Sequence, residues 1–203
     1  MKLRFVFAAV AVAALTFGAA AARAHDMQHM ELDAAVPTSA SLYNLDSQWT
    51  TQDGASVRLD VLAEAPVVAA MGYTSCKDIC PAIVADMMWV ENHLPADAAG
   101  RVRFAFFSID SAVDTPPKLK AYADEHGFDP DRWTLFHGDE DAVRELAAAL
   151  GVSYRPDGQG GFDHAAVISL LDARGEIVFQ QRGTQASSKE LLAKLTALLA
   201  QRK

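Results

Sequence analysis

The chain has 203 residues, of which 51% are hydrophobic, with 26 acidic side chains against 18 basic ones. A formal net charge of −8 excludes a nucleic-acid-binding protein, which needs a basic face for the phosphates. The length suits one domain, and the apolar content can fill a core without disulfide staples, so the only two cysteines, Cys76 and Cys80, are not needed for stability.

In chain order, Lys2 and Arg4 precede an apolar, Ala-rich run from Phe5 to Ala22, and Ala22-Arg23-Ala24 is a small-x-small site. Residues 1–24 therefore read as a secretory signal peptide cut after Ala24, with an uncleaved anchor as the alternative. No cysteine stands near the cleavage site, which speaks against a lipid-anchored lipoprotein. Cleavage removes three basic residues and no acid, leaving 15 against 26 and a net charge of −11. Residues 25–41 are polar and aperiodic and read as a flexible tail; the remainder, 42–203, is one domain. A soluble, exported, periplasmic monomer is expected.

Leu42–Trp49 and Ser56–Leu62 are expected as short strands around Asp53-Gly54, a β extension ahead of the main sheet. Pro66–Tyr73 is a continuous apolar run, the pattern of a buried strand. Ala82–Leu94 has helical spacing, with Ile83, Met87, Val90 and Leu94 on one stripe. Val102–Ile109 is a second buried strand. Thr115-Pro116-Pro117 opens a helix reaching about Glu125, with Thr115 as N-cap. Trp133–His137 is a short strand, and Asp139–Leu150 is a helix ended by Gly151. After Val152–Tyr154 and a Gly-rich loop over Arg155–Asp163, His164–Asp172 and Ile177–Arg182 form a hairpin about Ala173-Arg174-Gly175. Ser187–Gln201 closes the chain as an amphipathic helix capped by Ser187 or Ser188. Strands alternating with helices, then a hairpin and a last helix, give an α/β thioredoxin-like fold with a central mixed sheet flanked by helices.

The segment GYTSCKDICP, residues 72–81, joins a buried strand to a helix. Pro81 suits a first helical turn, which puts Cys80 at the helix start and Cys76 in the preceding loop. A helix N-terminus favours a thiolate. Oxidoreductases of this shape usually carry Cys-x-x-Cys; the extra residue here makes a looser ring. Two soft sulfurs select copper(I), zinc or an iron–sulfur cluster, and a further ligand must come from elsewhere. A structural disulfide closing so small a loop stabilises little.

Of the six histidines, His93, His126 and His137 read as polar surface or cap residues. His164 follows the Gly-rich loop and opens a strand whose start lies beside the cysteine loop in a thioredoxin-like sheet. Redox members of the fold place a cis-proline there, whereas this chain has no proline nearer than Pro156. A Cys2His set is thus available, with a satisfied strand-end histidine as the alternative. Asp110 and Asp114 admit two readings: a role close to the metal or in partner docking, or simple capping of the next helix, which Asp114 and Thr115 favour. The sequence His25-Asp26-Met27-Gln28-His29-Met30 supplies an imidazole, thioethers and, after cleavage, a free amine, all suited to copper. It reads as a capture arm or as a plain polar tail.

GYTSCKDICP resembles the Cys-x-x-x-Cys-Pro motif of the Sco/SenC copper proteins, FFSIDSAVDTP (106–116) resembles that family's strand-end segment, and FDHAAVISLLDARGEIV (162–178) resembles its histidine-bearing strand and hairpin. Order and spacing fit from about Leu42 to Leu199. The resemblance implies a thioredoxin-like domain binding one copper ion through Cys76, Cys80 and His164. It implies a copper chaperone, itself loaded by a donor chaperone, delivering the ion to the binuclear copper site of cytochrome c oxidase, with Cys76 and Cys80 also a redox-active disulfide pair. Some members of the family instead reduce thiols or sense redox state. The chain departs from the pattern at Lys77, where the family usually has proline, and at Ser75. Against the copper carrier stands a thiol–disulfide oxidoreductase, which needs both cysteines but not His164.

Overall fold

The computed structural model describes residues 40–184 and 188–201. The signal segment, the 25–39 part of the tail with His25, Met27, His29 and Met30, and Ser187 lie outside these residues. Among the described residues no helix is long and apolar enough to cross a membrane.

The strands are β1 (Trp49–Thr51), β2 (Ser56–Val57), β3 (Val67–Gly72), β4 (Arg103–Ser108), β5 (Trp133–Gly138), β6 (Tyr154–Pro156), β7 (Phe162–His164), β8 (Val167–Leu171) and β9 (Ile177–Arg182). The helices are α1 (Cys80–Asn92), α2 (Pro116–His126), α3 (Glu140–Leu150) and α4 (Ser188–Ala200). Seven strands form one sheet in the order β2-β1-β5-β4-β3-β8-β9, while β6 and β7 pair only with each other. The β5-β4-β3 centre is parallel and the flanking pairings are antiparallel. This is the mixed, helix-flanked, thioredoxin-like sheet with an N-terminal β extension that the pattern of elements predicts.

Burial follows from composition. Every residue of β3 and β8 is buried, as mainly apolar strands are when both sheet faces are covered; the buried Ser169 of β8 accepts from the Gln180 side-chain amide at 2.9 Å. On one face Val68, Ala70, Phe104 and Phe106 meet Ile83 and Met87 of α1, Leu119 of α2 and Leu195 of α4. On the other, Val67, Ala69, Met71 and Phe107 meet Leu146 and Val143 of α3, together with Leu42 and Tyr43. Edge-on contacts of Trp49 with Phe107 and Phe136, at 5.1 and 6.4 Å, tie the β extension to the centre.

Three expectations change at the local level. Leu42–Asn44 and Leu59–Leu62 are one-turn 3-10 helices, so the expected strands shrink to β1 and β2; Ser41 caps the first by accepting from Tyr43 N–H. Leu94 lies beyond the end of α1, whose buried stripe is Ile83, Val84, Met87 and Val90. His164 ends β7 rather than opening β8: it pairs with Tyr154, and Ala165 and Ala166 separate it from Val167. The Gly-rich loop is thereby part of a small hairpin of its own.

Candidate metal centre

The cysteine loop leaves the C-terminal end of β3. Gly72, its last residue, passes so close to the site that a Cβ there would lie 2.9 Å from Cys80 Sγ and 3.0 Å from the Phe106 ring. Pro81 sits in the first turn of α1, and Cys80 begins the helix as the sequence predicts. Cys80 is buried and Cys76 half-buried, both as thiols not bonded to one another. The Cys80 N–H points at Cys76 Sγ, 3.4 Å away.

His164 closes the site from the hairpin. Its Nε2 lies 3.1 Å from Cys80 Sγ, and one donor atom from each of Cys76, Cys80 and His164 falls within 4.8 Å of the others. The His164 Nδ1 is 3.1 Å from the Ala165 carbonyl oxygen. A carbonyl only accepts, so Nδ1 carries the proton and the Nε2 lone pair faces the sulfurs. Burial holds the His164 pKa below its ordinary value, with the Ala165 hydrogen bond opposing, so the ring is neutral at neutral pH. Two sulfurs and a lone-pair imidazole nitrogen converging on one point are a donor set for a soft monovalent or borderline ion.

The two thiols differ. Burial pushes Cys80 far above the usual thiol range, reinforced by its hydrogen bond to Cys76. Burial also pushes Cys76 upward, but hydrogen bonds from the Cys80 thiol and from the amides of Cys80, Asp78 and Ile79 outweigh it and leave Cys76 below the ordinary value. The expectation that the helix terminus favours a Cys80 thiolate is thus corrected: desolvation dominates at Cys80, and the amides at the start of α1 serve Cys76 instead.

Asp114 is also corrected. It does not cap α2, and the Thr115 side chain makes no capping bond either. The fully buried Asp114 carboxylate accepts from Thr74 N–H at 2.8 Å, from the Thr74 hydroxyl, and from Ser108 Oγ at 2.7 Å, with Lys118 3.5 Å away. Thr74 stands two residues before Cys76, so Asp114 braces the cysteine loop from below. Asp110 is buried and accepts from Val113 N–H. Burial, and secondarily Asp114, raises its pKa.

The other histidines keep bland roles. His93, His126 and His137 each donate Nδ1–H to a backbone carbonyl, of Trp89, Tyr122 and Asp114 respectively. Lys77 and Ser75 are exposed beside the cysteines. Sequence reasoning missed Tyr73, Thr74 and Ser108. The first two sit inside the quoted motif, where Tyr73 reads as one more apolar strand residue.

The SCO1/SenC family model matches residues 36–200. The chain is 27% identical over 137 residues to the SCO1 protein homolog of Bacillus subtilis, covering 66% of this chain and 70% of that one. Among solved structures, it resembles Bradyrhizobium japonicum ScoI with copper bound, at 28% identity and a TM-score of 0.60, covering 75% of this chain and 96% of that one. It also resembles Arabidopsis thaliana ScoI with copper bound, at 21% identity and a TM-score of 0.68, covering 76% and 96%; at that identity the likeness speaks for the fold. The matched span contains all nine strands and four helices of the described residues and the three convergent donors, and the chain belongs to the SCO1/SenC family.

Proposed function

We propose that this protein is an exported copper carrier. Cys76, Cys80 and His164 hold one copper ion, and the protein, as a monomer in the periplasm, passes it by ligand exchange to a copper-accepting client, the binuclear copper site of cytochrome c oxidase. The observation that carries this reading is the convergence of the three donor atoms within 4.8 Å, with the histidine tautomer already set for ligation by its Ala165 hydrogen bond. The copper-bound Bradyrhizobium japonicum relative supports it. Copper is cargo here and the chain's residues do the work. The sulfurs supply soft donors, and His164 gives a neutral third one. Asp114 keeps the loop in place. Thiolates bind metal and a disulfide does not, so loading is coupled to the redox state of the Cys76–Cys80 pair.

Copper(I) titration of the reduced protein against a competing chelator tests this. One equivalent is expected, lost in Cys76→Ser and weakened by more than about tenfold in His164→Ala, since losing a ligand costs at least what losing its supporting partner does. Binding indifferent to His164 would sink the proposal.

A thiol–disulfide reductase is favoured by one observation, the pairing of a half-buried Cys76 of lowered pKa with a buried Cys80 of raised pKa. That asymmetry suits an attacking and a resolving thiol. Reduction of a disulfide substrate at equal rates by wild type and His164→Ala would select this reading. The reading as a carrier extends to the first residues of the exported chain: with cleavage after Ala24, the amine and ring of His25, with Met27, His29 and Met30, form a capture arm. Mass spectrometry of the exported protein checks it, and an N-terminus other than His25 removes the arm's chelating amine.

A further inference from the structure

The hairpin that supplies His164 is not part of the main sheet. Among the described residues β6 and β7 pair with each other alone, and backbone bonding to the main sheet resumes only at Ala166, whose carbonyl accepts from Gly183 N–H at 2.9 Å, so no ladder bond holds His164 itself to the cysteine-bearing strand. Beside the direct Cys80–His164 contact, a second link crosses from the cysteine side. The Tyr73 hydroxyl donates to the Phe162 carbonyl oxygen at 3.2 Å and accepts from the Phe162 N–H at 3.1 Å. One side-chain oxygen thereby satisfies both backbone polar groups of the residue two positions before His164.

The ring is placed to match. In a strand, residues two apart face the same side, so Phe162 and His164 both turn toward Tyr73. Their rings meet it edge-on, with centroids 5.6 and 6.0 Å away. The seat of the hydroxyl is shaped by Gly161: a Cβ there would lie 2.8 Å from Tyr73 Oη and 2.8 Å from Asp157 Oδ2. Asp157 in turn closes the loop by accepting from the Gln159 and Gly161 N–H groups at 2.7 and 2.9 Å. Tyr73 follows the last residue of β3 and precedes Cys76 by three positions, so it belongs to the cysteine side of the site.

We infer that Tyr73 is a positioning residue: its hydroxyl latches the histidine hairpin to the cysteine-bearing strand and sets how fully His164 engages a metal held by Cys76 and Cys80. This rests on the copper reading for its functional sense, and on the metal-free geometry for its structural one. With the latch closed the site offers three donors; with it open the hairpin carries His164 away and two sulfurs remain.

Tyr73→Phe keeps the ring and removes the latch. In the full chain, copper(I) affinity is expected to fall about tenfold, in the range for losing a group that supports a ligand. The discriminating measurement is a double-mutant cycle: His164→Ala should cost at least several-fold less in the Tyr73→Phe background than in wild type. A general loosening of the fold would weaken binding equally in both backgrounds. Gly161→Ala, which invades the same seat, should reproduce the loss. In the metal-free protein, hydrogen exchange by NMR should show the Phe162 amide losing about tenfold or more of its protection in Tyr73→Phe, and the Tyr73–His164 ring contact weakening. Unchanged copper affinity, equal losses in both backgrounds, or an unaltered Phe162 amide each overturns the inference. Should wild-type binding prove indifferent to His164, the copper reading fails, and the amide exchange still decides whether the latch exists.

Discussion

At the scale of single residues, the site works by giving chemically alike groups unlike surroundings. Cys76 and Cys80 are the same side chain four positions apart, but amide donors favour the thiolate of one and burial the thiol of the other. Raising the pH of the reduced, metal-free protein in the presence of iodoacetamide should therefore modify Cys76 first and leave Cys80 largely intact. Peptide mass spectrometry reads the order, and equal labelling would contradict the asymmetry. Asp114 allows a second prediction. Its carboxylate serves three donors in a fully buried position, and hydrogen bonds to charged groups contribute about 1.5–3 kcal/mol each, with unmet donors costing more. Asp114→Ala should lower stability by about 3 kcal/mol in denaturant melts and weaken copper(I) binding; a change under about 0.5 kcal/mol would show that the brace is dispensable.

At the scale of elements, the end of β3 has to satisfy two demands. It must deliver a loop to α1, and it must leave room for Cys80 Sγ, which Gly72 does by having no Cβ. Gly72→Ala should cost about 1–3 kcal/mol, as overpacking of a well-filled core does, and should weaken copper(I) binding more than a substitution remote from the sulfurs; retained affinity would mean that Cys80 can shift freely. The elements that were legible in the sequence were those with strong periodicity: the buried runs of β3 and β4, the stripe of α1, and α3 between Asp139, whose carboxylate accepts from Ala142 N–H, and Gly151. The ones misread were short. Leu42–Asn44 and Leu59–Leu62 hold too few residues for a period to show, and tertiary contacts decided them as single 3-10 turns. The hairpin β6–β7 was hidden by its glycines, which read as a loop although Tyr154, Arg155 and Pro156 pair with His164, Asp163 and Phe162. The convergence of Cys76, Cys80 and His164 was legible because such side chains are rare in this chain and chemically distinctive. The supports at Tyr73 and Ser108 were not, because a tyrosine or serine in an apolar strand shows its hydrogen-bond partner only once distant segments have come together.

At the scale of the whole molecule, the site is coupled to stability. A ligand that binds the folded state alone stabilises it by mass action, about 4 kcal/mol at a thousandfold excess over its dissociation constant. Copper(I) should therefore raise the melting temperature of the reduced protein and leave that of the disulfide form unchanged; an equal rise in both would place the metal elsewhere. Protons act in the opposite sense. The folded pKa of His164 lies below its ordinary value of 6.5, so the unfolded chain takes up a proton that the folded chain resists. Stability contributed by the neutral ring is lost as pH falls below about 6.5, levelling out beneath the folded pKa. Asp110, whose folded pKa is raised, adds stability in acid and loses it as pH rises, so total stability blends the two. Melting His164→Gln beside wild type at about pH 7.5 and about pH 5.5 separates them. The variant should lose less on acidification, and identical losses would mean that the ring is not held neutral by the fold.

Burial favours the protonated form of Cys80, whose thiol faces two acceptors, the Cys76 sulfur and the unprotonated His164 nitrogen 3.1 Å away. A metal ion held by both sulfurs would displace this proton and that of Cys76, and its departure would call both back. Loading through both sulfurs would release the thiol protons of Cys76 and Cys80 and unloading would take them up again, so the direction of traffic answers to the acidity of the surroundings as well as to the supply of metal. A receiving protein that delivers a proton to this point as it offers its own ligands would drive the hand-over forward.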